Sequence, residues 1–177
     1  MRWPVEIPMN KTIPSRGEPG GFLEHRGDRK HCGLDIYAEQ GCNVFAIESG
    51  VVIFVDIFTS KEMIPYWNTT YQIIIKGESG LFYRFAELND FLVKRNEQVT
   101  EGQIIGHVGQ VLHKDAITEK SPLYIQRLKK QNHCSMLHLE IYNSEPIDSE
   151  MYLGGNWFGN NKPEKALDPA KILKNIM

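Results

Sequence analysis

The sequence predicts a mainly β protein built on an antiparallel β-sheet core, with one or two short helices. Short apolar, β-branched segments recur along the chain and are separated by glycine, asparagine or aspartate, the pattern of strands joined by tight turns. Helix signals are confined to two segments in the last third of the chain. A composition of 41% hydrophobic and 24% charged residues over 177 positions is typical of a folded globular protein.

Seven segments have the composition of strands. Each is short and apolar, and glycines such as Gly50, Gly77 and Gly109 mark turns or close approaches near their ends. The predicted strands are residues 32–37, 43–46, 50–58, 72–76, 81–86, 104–108 and 137–142.

Two short helices are predicted from their start signals. Ser121 and Pro122 precede an amphipathic segment that ends in basic residues, and Asp168 and Pro169 repeat the cap-and-proline arrangement near the carboxyl terminus. The chain length predicts one domain, since ~150 residues per domain is usual. Because four of the nine prolines fall in the first twenty residues, we expect an extended amino-terminal arm over residues 1–25 and a single domain over residues 26–177.

Charge and hydropathy exclude several classes of protein. With 20 basic against 22 acidic residues, little positive charge is left to neutralise phosphates, which excludes a general nucleic-acid binder. The longest apolar segment, residues 50–57, is interrupted by Asp56 and is far shorter than the ~20 residues that span a bilayer. The amino terminus lacks the apolar core of a signal peptide, so the protein is either cytosolic or secreted with its leader removed. Three cysteines without zinc-knuckle spacing indicate no disulfide framework.

The first candidate site is the pair His31 and Asp35. In an extended strand, positions i and i+4 lie on one face, so this imidazole and this carboxylate can reach one metal ion at about 2.0–2.2 Å. A hydrogen-bonded surface pair is the alternative interpretation, because this spacing often arises by chance.

The second candidate site is a histidine within an apolar strand. Met136, His138 and Glu140 share one face of the predicted strand, while Leu137 and Leu139 face the core. Because burial without hydrogen-bond partners is costly, the ring nitrogens of His138 require a metal or another polar group. A backbone carbonyl is the alternative partner.

Together with segments between them, these residues resemble the lysostaphin/LytM-type zinc metallopeptidase family, which cleaves peptide cross-links in bacterial cell walls. Residues 31–36 match the family's His-x3-Asp signature and residues 41–52 match the segment after it. Residues 99–106 look like its Gly-Gln-x-Ile-Gly hairpin, and residues 167–169 resemble its closing turn. The resemblance implies the antiparallel β core of that family, the duplicated hybrid motif. Relative to this core, the chain carries insertions at about residues 110–134 and 144–166.

The resemblance also implies a site. It assigns one zinc ion to His31, Asp35 and His138, and a peptide or peptidoglycan-like substrate to the protein. Two further histidines of the family are replaced. The spacing to the downstream hairpin aligns Glu87 with one of them, and Met136 aligns with the other.

These replacements affect catalysis in different ways. Glu87 is predicted to be the general base, and the alternative is that it binds zinc as a fourth ligand and closes the site. A competing alignment that places Phe85 at the histidine position breaks the spacing to the hairpin. Met136 cannot donate a hydrogen bond, and loss of one such donor costs about 10²–10³ in rate.

Other residues have open roles. Arg26 and Arg29 are predicted to bind a substrate carboxylate, with a surface ion pair as the alternative. His133 or Cys134 is near enough in sequence to fold back over the metal. The first insertion either rims the cleft or is a surface loop. Trp157 and Phe158 of the second insertion either form a ligand platform or pin the loop to the sheet.

Three functions compete. The first is a zinc metalloendopeptidase with impaired or altered catalysis, and the second is a catalytically inactive zinc-binding family member that acts as a binding or scaffold module. The third is a biotinyl- or lipoyl-type carrier, whose hairpin is similar but whose Met-Lys-Met-like acceptor lysine is missing here. Zinc content separates the third from the others.

Overall fold

A computed structural model describes residues 1–6, 8–9, 12–146 and 149–174. Residues 7, 10 and 11 of the predicted arm and residues 147 and 148 of the second insertion lie outside the described residues. In the described part of the arm, Val5 bridges to Val44 and Pro8 to Ala38. The division into an arm and one domain stays a prediction.

Strands dominate the chain, and every described strand pairing is antiparallel. The predicted mainly β fold with short helices in the first insertion and near the carboxyl terminus is therefore confirmed. The strands are β1 (Lys30–His31), β2 (Leu34–Tyr37), β3 (Asn43–Phe45), β4 (Gly50–Thr59), β5 (Thr70–Gly77), β6 (Phe82–Phe91), β7 (Gln98–Val99), β8 (Ile104–Gln110), β9 (Ser135–Tyr142), β10 (Tyr152–Leu153), β11 (Asn156–Trp157) and β12 (Ala166–Leu167); the helices are α1 (Leu123–Lys130) and α2 (Pro169–Leu173), with a 3₁₀ turn at Lys114–Ala116.

Two sheets form. The larger one has nine strands in the order β12-β9-β8-β6-β5-β4-β7, with β2 added against β9 and β3 against β8. The smaller one has the order β1-β11-β10. Five strands of only two residues were not predicted, because so short a segment carries no alternation of apolar and polar positions.

Strand β9 divides its side chains between the core and the site, as predicted. Leu137, Leu139 and Ile141 are fully buried in the main hydrophobic core. His138 therefore lies on the opposite face of the sheet. Within the sheet, it pairs in register with Asp35 of the neighbouring strand β2. On its other side, β9 pairs with β6.

The first strand of the predicted site is interrupted. His31 ends β1 and Asp35 belongs to β2, so the expected continuous strand over residues 32–37 is wrong at its start. The break occurs at Gly33, where an added Cβ would lie 2.4 Å from the Leu139 carbonyl oxygen. The chain leaves the small sheet at this contact and joins the large one.

The helices begin differently. Asp168 caps α2 as predicted, its carboxylate accepting a hydrogen bond from the Ala170 amide, with Pro169 in the first turn. The start of α1 was predicted one residue too early: Pro122 is its N-cap, without a side-chain capping bond. No helix among the described residues is long and apolar enough to cross a membrane.

We predict that Gly33→Ala destabilises the metal-free protein by about 1–3 kcal/mol, because the added methyl group has no room between β2 and β9. Urea unfolding measures this free energy. Gly80→Asn is the control, since Gly80 has a φ of 84° that asparagine tolerates and open space around it. An equal loss in both variants would contradict the steric explanation.

Candidate metal centre

Three buried side chains converge at one point. His31 Nε2, Asp35 Oδ1 and His138 Nδ1 each lie 3.0 Å from the other two atoms. Atoms separated in this way can all contact a cation at the about 2.0–2.2 Å that zinc requires. The three residues predicted as ligands are thus brought together, and they form the candidate metal group of the described residues.

The arm orients His31. Its Nδ1 lies 2.9 Å from the Gly21 carbonyl oxygen. Since a carbonyl only accepts, Nδ1 carries the proton and Nε2 presents its lone pair to the centre of the site. This carbonyl fixes the tautomer and the ring orientation of His31, as the outer hydrogen-bond partner of a metal-binding imidazole commonly does.

Arg26 holds Asp35. Its Nη2 donates to Asp35 Oδ2 at 2.6 Å, which leaves Oδ1 turned toward the two histidines. Burial alone would raise the pKa of Asp35, but the Arg26 guanidinium and the hydrogen bond from His138 outweigh it and hold that pKa well below its usual value. Asp35 is therefore an anion in this buried position.

Glu140 holds His138. Nε2 of His138 lies 2.9 Å from Glu140 Oε1, and Arg84 and Tyr142 donate to Glu140 Oε2 at 2.8 and 2.6 Å. Burial lowers the pKa of His138, but the hydrogen bonds with Asp35 and Glu140 outweigh burial and raise this pKa to about 9. Without a metal, His138 is thus an imidazolium between two carboxylates.

Glu87 enters the same space from β6. Its backbone φ of 62° is unusual for a residue other than glycine and marks a local irregularity of the strand. The side chain is buried, and Oε2 has no hydrogen-bond partner among the described residues. Burial and the neighbouring Asp35 raise the pKa of Glu87 to about 8, so it is mostly protonated at neutral pH.

Glu87 is not one of the three converging residues. It lies outside the group whose ligand atoms are within 4.8 Å of one another, but it lines one small cavity with Asp35 and Met136. Phe85, the residue of the competing alignment, is fully buried in the main core. The roles of Glu87 as base or ligand stay predictions.

The first insertion covers the site. Tyr124 and Leu128 of α1 line the cavity beside Asp35, together with Trp67. They belong to a second apolar cluster that also contains Met136, so this segment packs over the centre and is no loose surface loop. The cavity has a volume of about 20 Å³, enough for about one water molecule.

The remaining predicted residues lie elsewhere. Arg29 donates to Asp28 at 2.7 Å and stacks over the Phe158 ring. His133 stacks on Tyr37, and Cys134 is buried in the second cluster, so neither belongs to the converging group. The substrate-binding roles of Arg26 and Arg29 stay predictions.

Sequence reasoning missed most of the residues that support the ligands. Glu140 was recognised only as sharing a strand face with His138, and its bonds to Arg84, Tyr142 and Tyr152 were not predicted. The missed residues are Glu24, Arg84, Tyr152, Gly155 and Asn156.

Solved structures share this fold. The catalytic domain of the antimicrobial peptidase lysostaphin from Staphylococcus simulans superposes with a TM-score of 0.55 at 19% identity, covering 87% of this chain and 89% of that chain. LytU superposes with a TM-score of 0.53 at 20% identity, covering 92% and 84%. Against the longer lysostaphin chain the TM-score is 0.51 and the identity 20%, and this chain spans 45% of it. The comparison with curated proteins gives no match.

A family model matches more than half of the chain. The model of peptidase family M23 matches residues 29–149, which include the three converging residues, Glu87 and Met136. This match favours the two zinc hypotheses over the carrier alternative. By its sequence and its fold, the chain belongs to peptidase family M23.

Proposed function

We propose that the chain is a zinc-binding M23 domain whose metal centre is closed to polypeptide substrates, and that it acts by binding rather than by cleavage. The arrangement of His31, Asp35 and His138 carries the zinc proposal: two imidazole nitrogens and one carboxylate oxygen are a common zinc donor set, here at mutual distances of 3.0 Å. Each donor also has the outer hydrogen-bond partner that metal-binding side chains usually have.

The residues of the chain have distinct parts in this proposal. His31 Nε2, Asp35 Oδ1 and His138 Nδ1 hold the ion, while Gly21, Arg26 and Glu140 fix their orientation. A bound zinc ion supplies Lewis-acid activation.

Met136 offers no hydrogen bond to a reacting oxygen, so stabilisation of developing negative charge is lost at that position.

Burial supports a closed site. His31, Asp35 and His138 are 0%, 3% and 1% exposed. A peptide bond cannot approach them past α1 and Trp67, because the cavity beside Asp35 holds about one water molecule. Because the chain belongs to this family, we expect its ligands to be peptidoglycan-type peptides. With the metal centre closed, they would bind on the outer surface of the domain.

One observation favours the second candidate, a metalloendopeptidase of low activity. Glu87 lines the water-sized cavity, its Oε2 has no hydrogen-bond partner among the described residues, and its pKa of about 8 is near the pH at which a general base works best. Movement of α1 away from the centre would then be required before a peptide could reach it.

We predict that the wild-type protein binds one zinc ion and that His138→Ala loses tight zinc binding, because it removes Nδ1 from the donor set. Elemental analysis after dialysis gives the zinc content. His133→Ala is the matched control, since His133 stacks on Tyr37 outside the donor set. Unchanged zinc content in the His138 variant would remove this ligand assignment.

We predict that zinc binding at pH 7 releases about two protons, one from His138 and one from Glu87, and that Glu87→Gln releases about one. Both groups have raised pKa values, about 9 and about 8, and the charge of the ion favours their deprotonated forms. Zinc affinity therefore weakens as pH falls from 8 to 6. Calorimetry in buffers of different ionisation enthalpy counts the protons, and no release in the wild type would contradict the assignment.

We predict no turnover by the closed site. Zinc-loaded wild type should release no more dye from dye-labelled peptidoglycan than the zinc-free protein does, because the donor set is covered. Lysostaphin is the positive control for the assay. Zinc-dependent release that Glu87→Gln abolishes would overturn the closed-site proposal and establish the metalloendopeptidase.

A further inference from the structure

The hairpin formed by β10 and β11, residues 152–157, lies beyond the part of the chain that the family model matches. It nevertheless touches the support of each of the three candidate ligands. We infer that this hairpin is a clasp on the metal centre, an element that positions the ligands and must lift before the metal can exchange; the inference rests on the proposed zinc centre.

The first contact acts on His138 through Glu140. Tyr152 Oη donates to Glu140 Oε1 at 2.8 Å, and this same oxygen lies 2.9 Å from His138 Nε2. Tyr152 thus fixes the carboxylate oxygen that orients the imidazole. The other oxygen of Glu140 has its own donors in the large sheet, Arg84 and Tyr142.

The second contact acts on His31 through the backbone. Asn156 pairs in register with His31 where β11 meets β1. The Cys32 amide, next in the chain, donates to the Gly155 carbonyl oxygen at 2.8 Å. The hairpin therefore holds β1, the strand that carries His31, through backbone contacts.

The third contact acts on Asp35 through Arg26. Asn156 Oδ1 accepts a hydrogen bond from Arg26 Nη1 at 3.3 Å, while Nη2 of the same guanidinium donates to Asp35. The Asn156 amide is itself held, since Nδ2 donates to the Gly154 carbonyl oxygen at 2.8 Å. One residue of the hairpin thus supports two of the three ligands.

Gly155 closes the centre. Its φ is 76°, and an added Cβ would lie 2.6 Å from Nε2 and Cε1 of His138. The backbone of the hairpin therefore lies directly on the imidazole ring, an approach that only glycine allows. Trp67 packs against Gly154, so the turn of the hairpin lies between the rings of Trp67 and His138.

Zinc release from the loaded protein tests this clasp. We expect Tyr152→Phe and Asn156→Ala to raise the rate of zinc transfer to excess chelator about 10-fold or more, the usual size of an outer-partner effect on metal binding. Trp157→Phe is the matched control on the same hairpin and should change the rate less than about twofold, because Trp157 Nε1 makes no hydrogen bond among the described residues. Thermal unfolding of each metal-free variant verifies folding.

Amide hydrogen exchange on the wild type gives a readout without any substitution. Because coupling between metal and hairpin is reciprocal, zinc should slow exchange at residues 152–157 and at Cys32.

The outcomes separate the two proposals. A wild type that binds no zinc rejects the zinc centre and the clasp with it. A wild type that binds one zinc ion, with variant release rates equal to its own or with hairpin exchange unaffected by zinc, rejects the clasp alone. Accelerated release confined to Tyr152→Phe and Asn156→Ala supports both.

Discussion

The structure depends on the mutual compensation of charges that are buried together. Asp35 and Glu140 are fully buried carboxylates, and neither would be stable as an anion without the guanidinium that contacts it. His138 lies between them and bonds to both. Removal of any one of these groups leaves an unpaired charge in the interior, so the site is a single electrostatic unit rather than a set of separate ligands.

Zinc fits the charge balance of this unit. With His138 as an imidazolium and Glu87 protonated, three carboxylates, of Glu24, Asp35 and Glu140, face four cations, of Arg26, Arg84, Arg127 and His138. A divalent ion that displaces the His138 proton adds one net charge, which ionised Glu87 would cancel. Glu87 is thus compatible with metal binding even where it does not support catalysis.

The same elements that hold the ligands also restrict access to them. Helix α1 belongs to the apolar cluster that contains Met136, and its Arg127 pairs with Glu24, the partner of Arg26. The hairpin of β10 and β11 lies against the His138 ring at Gly155. An open groove for a polypeptide therefore requires rearrangement of at least one of these two elements.

The sequence predicted those features that depend on residues close to one another in the chain. The alternation along β9 placed Leu137, Leu139 and His138 on the correct faces, because a strand has a period of two. The ligand set followed from the resemblance, not from spacing. The supporting contacts of Tyr152 and Asn156 were not predictable, since both residues lie on two-residue strands with no sequence pattern and Asn156 contacts Arg26 from 130 residues away. The covering role of the first insertion was likewise undecided by its composition.

A crystal structure from zinc-containing solution, with anomalous difference maps at the zinc edge, tests the central claim most directly. The account predicts one peak bound by His31 Nε2, Asp35 Oδ1 and His138 Nδ1, with α1 and the hairpin covering it. The absence of a peak at these atoms would contradict the zinc centre. A peak at the bottom of an open groove, with α1 or the hairpin displaced, would contradict the closed site.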